Sequence, residues 1–124
     1  MKYFIFLSML ILNSINTNAG EVPSVKEYKE HRDSTKYDQF IYGLDNGLEW
    51  ASDQAYRKYG HQIFCRPSEI QMPVNEIKKM INKQLERDSA FYSKYEDAPL
   101  IGLALKNAYI RNFPCTGDME GRQN

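Results

Sequence analysis

The chain is poor in the residues that usually do chemistry. It has two histidines, His31 and His61, two cysteines, Cys65 and Cys115, and one tryptophan, Trp50. The histidines lie far apart in sequence, with no H-E-x-x-H or other ligand spacing around either, so the usual kinds of metal site are missing. There is no G-x-S-x-G elbow and no phosphate-binding glycine loop. The cysteines lack the C-x-x-C spacing that lowers a thiol pKa. An excess of charge is lacking too: 16 basic residues face 16 acidic ones, leaving no broad basic field for nucleic acid or anionic lipid. No stretch sustains the period-two alternation of a half-buried strand. These absences predict no catalytic activity, no cofactor, no metal, no nucleic-acid partner and no membrane association of the mature form.

What is present begins at the amino terminus. Met1, Lys2 and Tyr3 form a short segment with one positive charge, and the apolar run from Phe4 to Leu12 follows. That run is too short to span a bilayer. Thr17-Asn18-Ala19 places small residues where a signal peptidase cuts, so residues 1–19 read as a signal peptide cleaved near Ala19. No cysteine stands near the cut to carry a lipid anchor. The expected compartment is the bacterial periplasm, which is oxidising, and an even number of cysteines there predicts a Cys65–Cys115 disulfide. Closing a loop of that length contributes about 4 kcal/mol by the chain-entropy account. Domains of this size are stable by roughly 5–15 kcal/mol, so the bridge matters.

The rest is patterned as helix. Ser24 through Arg32 is expected to form a short helix with Val25 and Tyr28 on one side. From Asp38 to Lys58, Ile41, Leu44, Leu48, Ala51 and Ala55 recur at helical steps and predict a buried stripe. Gly43 and Gly47 lie one turn apart inside that helix. Glycine there costs about 1 kcal/mol against alanine, so the pair predicts close approach by another helix. Gly60 has the place of a left-handed cap. The stretch from His61 to Met72 reads as a loop, and Pro73 suits the first turn of a second helix. Val74, Ile77, Ile81 and Leu85 line its buried side, with Lys78, Lys79, Lys83 and Glu86 on the wet side. Phe91, Tyr92 and Tyr95 either extend that helix or form a separate turn. Asp97-Ala98-Pro99 opens a third long helix, with Pro99 in its first turn, and Pro114 ends it. The fold expected is all-α, a small disulfide-stapled helical bundle of three to five helices.

Phe40-Ile41-Tyr42-Gly43, Phe64-Cys65-x-Pro67, the Val74-Ile77-Ile81-Leu85 stripe, Ala104-Leu105 and Phe113-Pro114-Cys115 occur in this order. The order and spacing resemble the Rap/Tai family of immunity proteins, which protect bacteria with type VI secretion from peptidoglycan amidase effectors. The likeness runs from about Tyr28 to Cys115. Many relatives carry a second cysteine pair, which this chain lacks. Residues 116–124, small and polar, read as a flexible tail, and the resemblance implies residues 20–115 as one Rap/Tai-like helical domain. It further implies a cognate peptidoglycan amidase effector as partner, and a possible homodimer.

An inhibitor needs shape, a hydrophobic anchor and complementary charge rather than catalytic groups. Trp50 flanks the buried stripe of the first long helix, and Tyr56, Arg57, Tyr59 and His61 follow near its end. Aromatic residues with arginine are enriched at protein interfaces. Trp50, Tyr56, Arg57, Tyr59 and His61 are therefore the candidate partner-binding residues, with a protruding loop from Tyr56 to Phe64 beside Cys65 as the expected docking element. Phe91, Tyr92 and Tyr95 make a second candidate patch. Asp45, Glu49 and Asp53 step along one helix face with Arg57 completing the ladder, which reads as a solvated face. The competing functions are a periplasmic chaperone of the acid-stress type and a structural subunit of an envelope assembly.

Overall fold

The computed structural model describes residues 22–67 and 69–115. The signal-peptide assignment at 1–19 and the tail at 116–124 lie outside the described residues. Those residues form five helices and no strand: α1 (Val25–His31), α2 (Asp38–Tyr59), α3 (Val74–Arg87), α4 (Ser89–Lys94) and α5 (Ile101–Asn112). The protein is all-α, with one disulfide, Cys65–Cys115, whose Cα atoms are 5.0 Å apart.

Local chemistry sets the helix ends. Ser24 and Glu27 form a reciprocal capping box at α1: the Glu27 amide donates to Ser24 Oγ at 3.1 Å, and the Ser24 amide donates to Glu27 Oε2 at 2.8 Å. Two orphan donors of the first turn are thereby satisfied. Two more go to the chain ahead of α5, because Val25 and Lys26 donate to the carbonyls of Ala98 and Glu96. Gly60 ends α2 at φ 76°, the left-handed conformation that glycine adopts without a Cβ clash. Pro73 stands just before α3 rather than inside it, in an extended conformation. Its carbonyl accepts from Glu76 and Ile77, so it launches the first turn from outside. The opening of α5 is likewise later than expected. Leu100 is its cap and Pro99 stays outside. Phe91, Tyr92 and Tyr95 belong to a separate turn, α4 and its cap, because the helix breaks at Asp88.

The core forms between α3 and α5, which make the most extensive helix–helix contact, with α2 packed against both. Ile41, Ile77, Ile81, Leu85, Ile101, Ala104 and Leu105 are buried there, and Val25 and Tyr28 bring α1 onto the same cluster. Burial of such side chains stabilises by roughly 1.5–3 kcal/mol each, which explains why short helices with no long apolar run still assemble.

Three expectations about faces are corrected. A Cβ on Gly43 or Gly47 would have nothing within 4 Å, so neither glycine is a close approach. The tight contact belongs to Gly102, where a Cβ would stand 3.3 Å from Leu44 Cδ2, between α5 and α2. Ala51 is exposed, and Ser52 takes the buried place beside it. Lys78 is buried instead of wet: its ammonium lies 2.6 Å from Asp38 Oδ1 and donates to the Ser34 carbonyl at 2.8 Å. That pair ties α3 to the start of α2, and Lys78 reaches it by laying an apolar stem over the core.

Candidate functional site

The stripe of α2 that faces inward carries two polar residues, and both hold the segment after Gly60. Ser52 is one. Its hydroxyl donates to the Phe64 carbonyl at 3.1 Å and accepts from the Ile63 and Phe64 amides at 3.0 and 3.4 Å. Loop backbone with no helix of its own is thereby satisfied, as buried backbone must be. Asp45 is the other. It sits at the floor of a dense charge network around Arg66.

Arg66 follows Cys65 directly, and its side chain is only 5% exposed. Nη1 is 2.7 Å from Asp45 Oδ1 and donates to the Tyr109 hydroxyl at 3.1 Å, while Nη2 pairs with Glu49. The Tyr109 hydroxyl donates in turn to Asp45 Oδ1. One guanidinium so connects the loop, α2 and α5. Burial disfavours charge on Arg66, but the Asp45 carboxylate outweighs it and the pKa moves up. Tyr109 is also raised, by burial first and by Asp45 next, so it remains a donor. Asp45 is therefore not part of a solvated face, and Glu49 is partly exposed but tied to Arg66; Asp53 and Arg57, paired at 3.0 Å and well exposed, behave as expected. An exposed pair of that kind contributes little.

Beside this network the chain is pinned twice more. The Cys65 amide donates to the Phe113 carbonyl at 2.8 Å, next to the disulfide itself. The result is a loop fixed to α2 by Ser52 and to the end of α5 by Cys65.

The expected partner-binding residues are all at the surface. Trp50 is 77% exposed and Tyr59 67%; Tyr56, Arg57 and His61 are exposed as well. Helical geometry divides them. At 3.6 residues per turn, Trp50 and Arg57 share the outer side of α2. Tyr59 continues the inward line of Ile41, Leu48 and Ser52, and is exposed because α2 outruns its support. The helix has 22 residues against 14 in α3 and 12 in α5, so its last turns overhang the core. The Lys58 ammonium lies 5.2 Å from the Tyr59 ring centre, a cation–π contact. The second patch divides differently. Tyr92 is buried, whereas Phe91 and Tyr95 are each 44% exposed and their rings meet at 5.1 Å.

Sequence reasoning missed Arg66 and Ser52. A signal for the first did exist: a lone arginine beside a bridged cysteine, with Asp45 and Glu49 one turn apart on a helix. No local signal separates Ser52 from any other helical serine.

Among the described residues, no three His, Cys, Asp or Glu side chains gather to hold a metal, and no helix is long and apolar enough to cross a membrane. No family model matches the chain, and no curated protein or solved structure matches it either.

Proposed function

We propose that the protein is a periplasmic immunity protein that binds and occludes a peptidoglycan amidase effector of a type VI secretion system. The observation that carries the reading is the overhanging end of α2. It presents Tyr56, Arg57 and Tyr59 at the surface, with His61 just beyond and Trp50 two turns before Arg57 on the outer side of the helix, on a chain anchored by Ser52 and the disulfide. Side chains and loops ordered before association lose less entropy when they dock. Large aromatic groups then supply contact area at few rotatable bonds. Arg57 with its neighbours Lys58 and Asp53 offers the mixed charge that governs encounter and selectivity. Blocking a substrate groove asks for no catalytic group and no cofactor of the inhibitor's own.

The order of motifs from Phe40 to Cys115, similar to the Rap/Tai family, supports the same reading. The test is inhibition of a peptidoglycan amidase encoded beside this chain, at one-to-one stoichiometry. Trp50→Ala and Tyr59→Ala should each weaken capture by about tenfold or more, the scale of an interface hot spot. Full inhibition by both variants would remove both the outer side of α2 at Trp50 and its end at Tyr59 from the interface. Suppression of client aggregation at low pH, without amidase inhibition, would favour the acid-stress chaperone. Sedimentation of the free protein decides between a monomer and a homodimer.

A further inference from the structure

A cleft of about 590 Å³ opens between one flank of α2 and residues 70–73. Its floor is the Arg66 network and its walls are mostly polar, with Tyr42, Ile70 and Met72 supplying the apolar part. Tyr42 and Ile70 line it while remaining 41% and 45% exposed, and Met72 lines it too, with its sulfur 3.4 Å from Arg66 Nη1. Asn46 and Gln71 stand at the rim, both exposed.

The charge balance decides what fits. One guanidinium faces two carboxylates, so the cleft keeps one negative charge. Arg66 is covered and held by Asp45, Tyr109 and Glu49, which leaves an incoming anion no access to it. Asp45 is buried, and its Oδ1 already serves both Arg66 and Tyr109. Glu49 differs. Its side chain is 41% exposed and gives one oxygen to Arg66, which leaves acceptor capacity facing the opening.

The geometry points to a binding site for a single basic side chain, lysine or arginine, presented by a partner protein. The cation meets Glu49 in the cleft, and the alkyl stem lies against Tyr42, Ile70 and Met72. Tyr42 adds a ring face for the charge. A protein is the source because the cleft continues into a larger surface: Trp50 lies one turn beyond Asn46 and is the most exposed large side chain of α2. A free polyamine would need a second carboxylate, and the next one along α2, Asp53, is already paired with Arg57. The site rests on the inhibitor reading only for the identity of the protein that carries the basic residue.

The test uses n-butylammonium as the probe, titrated into isotope-labelled protein and followed by NMR. The side-chain amides of Asn46 and Gln71 should shift and saturate, while n-butanol leaves them unmoved. Glu49→Gln should weaken binding by about tenfold, the scale of a charged hydrogen bond. Gln71→Glu should tighten it and Gln71→Lys weaken it, each by about threefold as for exposed charges. Gln71 is exposed, so these two variants leave the fold intact. Shifts that are absent, or unchanged in Glu49→Gln, would overturn the site. Spermidine binding far more tightly than n-butylammonium would overturn the protein source in favour of a polyamine. Protein that binds n-butylammonium as expected but inhibits no amidase would overturn the immunity reading alone.

Discussion

Ser52 and Phe64 are joined in both directions: the Ser52 hydroxyl gives its proton to the Phe64 carbonyl and takes one from the Phe64 amide. A helix side chain thus does for the loop what a neighbouring strand would do in a sheet. Phe64 is held there for a packing reason, since its ring lies 5.0 Å from Tyr109 in the core. Ser52→Ala should therefore cost about 1–3 kcal/mol, the penalty for buried backbone groups left unsatisfied. Urea unfolding measures the loss. Hydrogen exchange at Ile63 and Phe64 should accelerate more than exchange in α3, which localises the effect.

The same anchoring separates two roles that a disulfide usually combines. Replacing both Cys65 and Cys115 with alanine removes a cross-link between residues 50 apart, and stability should fall by about 2–5 kcal/mol. The loop's position should survive, because the Ser52 bonds, the bond from Cys65 to Phe113 and the Arg66 ion pairs all remain. Near-native amide shifts at Ile63 and Phe64, together with a lowered midpoint, are the expected outcome. Loss of those shifts in folded protein would mean that the bridge alone places the loop.

Much of the helical frame was legible because it follows from local periodicity. The spacing of Val74, Ile77, Ile81 and Leu85, the left-handed place of Gly60 and the break before α5 are all written within a few residues. Two things were not. The rotation of α2 was misread because Ala51 suits either side of a helix, whereas the need for Ser52 inside arises from Ile63 and Phe64, more than two turns away. The Arg66 network joins residues from α2, the loop and α5, and only the assembled fold brings Asp45 to Tyr109. The overhang of α2 also needs the assembled fold: it depends on where α3 and α5 stop.

Glycines within helices give a paired test. Gly47→Ala should stabilise by about 0.5–1 kcal/mol, because open space surrounds the added methyl and the unfolded chain loses freedom. Gly102→Ala should gain less or turn unfavourable, since Leu44 Cδ2 must move from 3.3 Å. Equal gains at both sites, measured by thermal unfolding, would show that Leu44 yields freely and that α2 and α5 are not in close contact there.

Tyr28 is fully buried and its hydroxyl has no hydrogen-bond partner. Burial pushes its pKa well above the ordinary value of 10.0, because ionising it in the core would strand a charge. The sign of the resulting pH dependence follows. Below pH 10 the phenol is neutral in both folded and unfolded chains and contributes no slope. Above pH 10 the unfolded chain releases the proton while the folded one retains it, so stability falls as pH rises. Tyr28→Phe removes both the titration and the cost of an unsatisfied hydroxyl, about 1–3 kcal/mol in buried sites. The variant should be as stable as the parent or more so at pH 7, and its lead should widen above pH 10. Tyr109→Phe offers the contrast: it deletes a hydroxyl bonded to Asp45 and Arg66, so it should lose stability at pH 7. Urea midpoints from pH 7 to 11 for the three proteins check both signs. A Tyr28→Phe variant less stable than the parent at pH 7 would show that the hydroxyl has a partner after all.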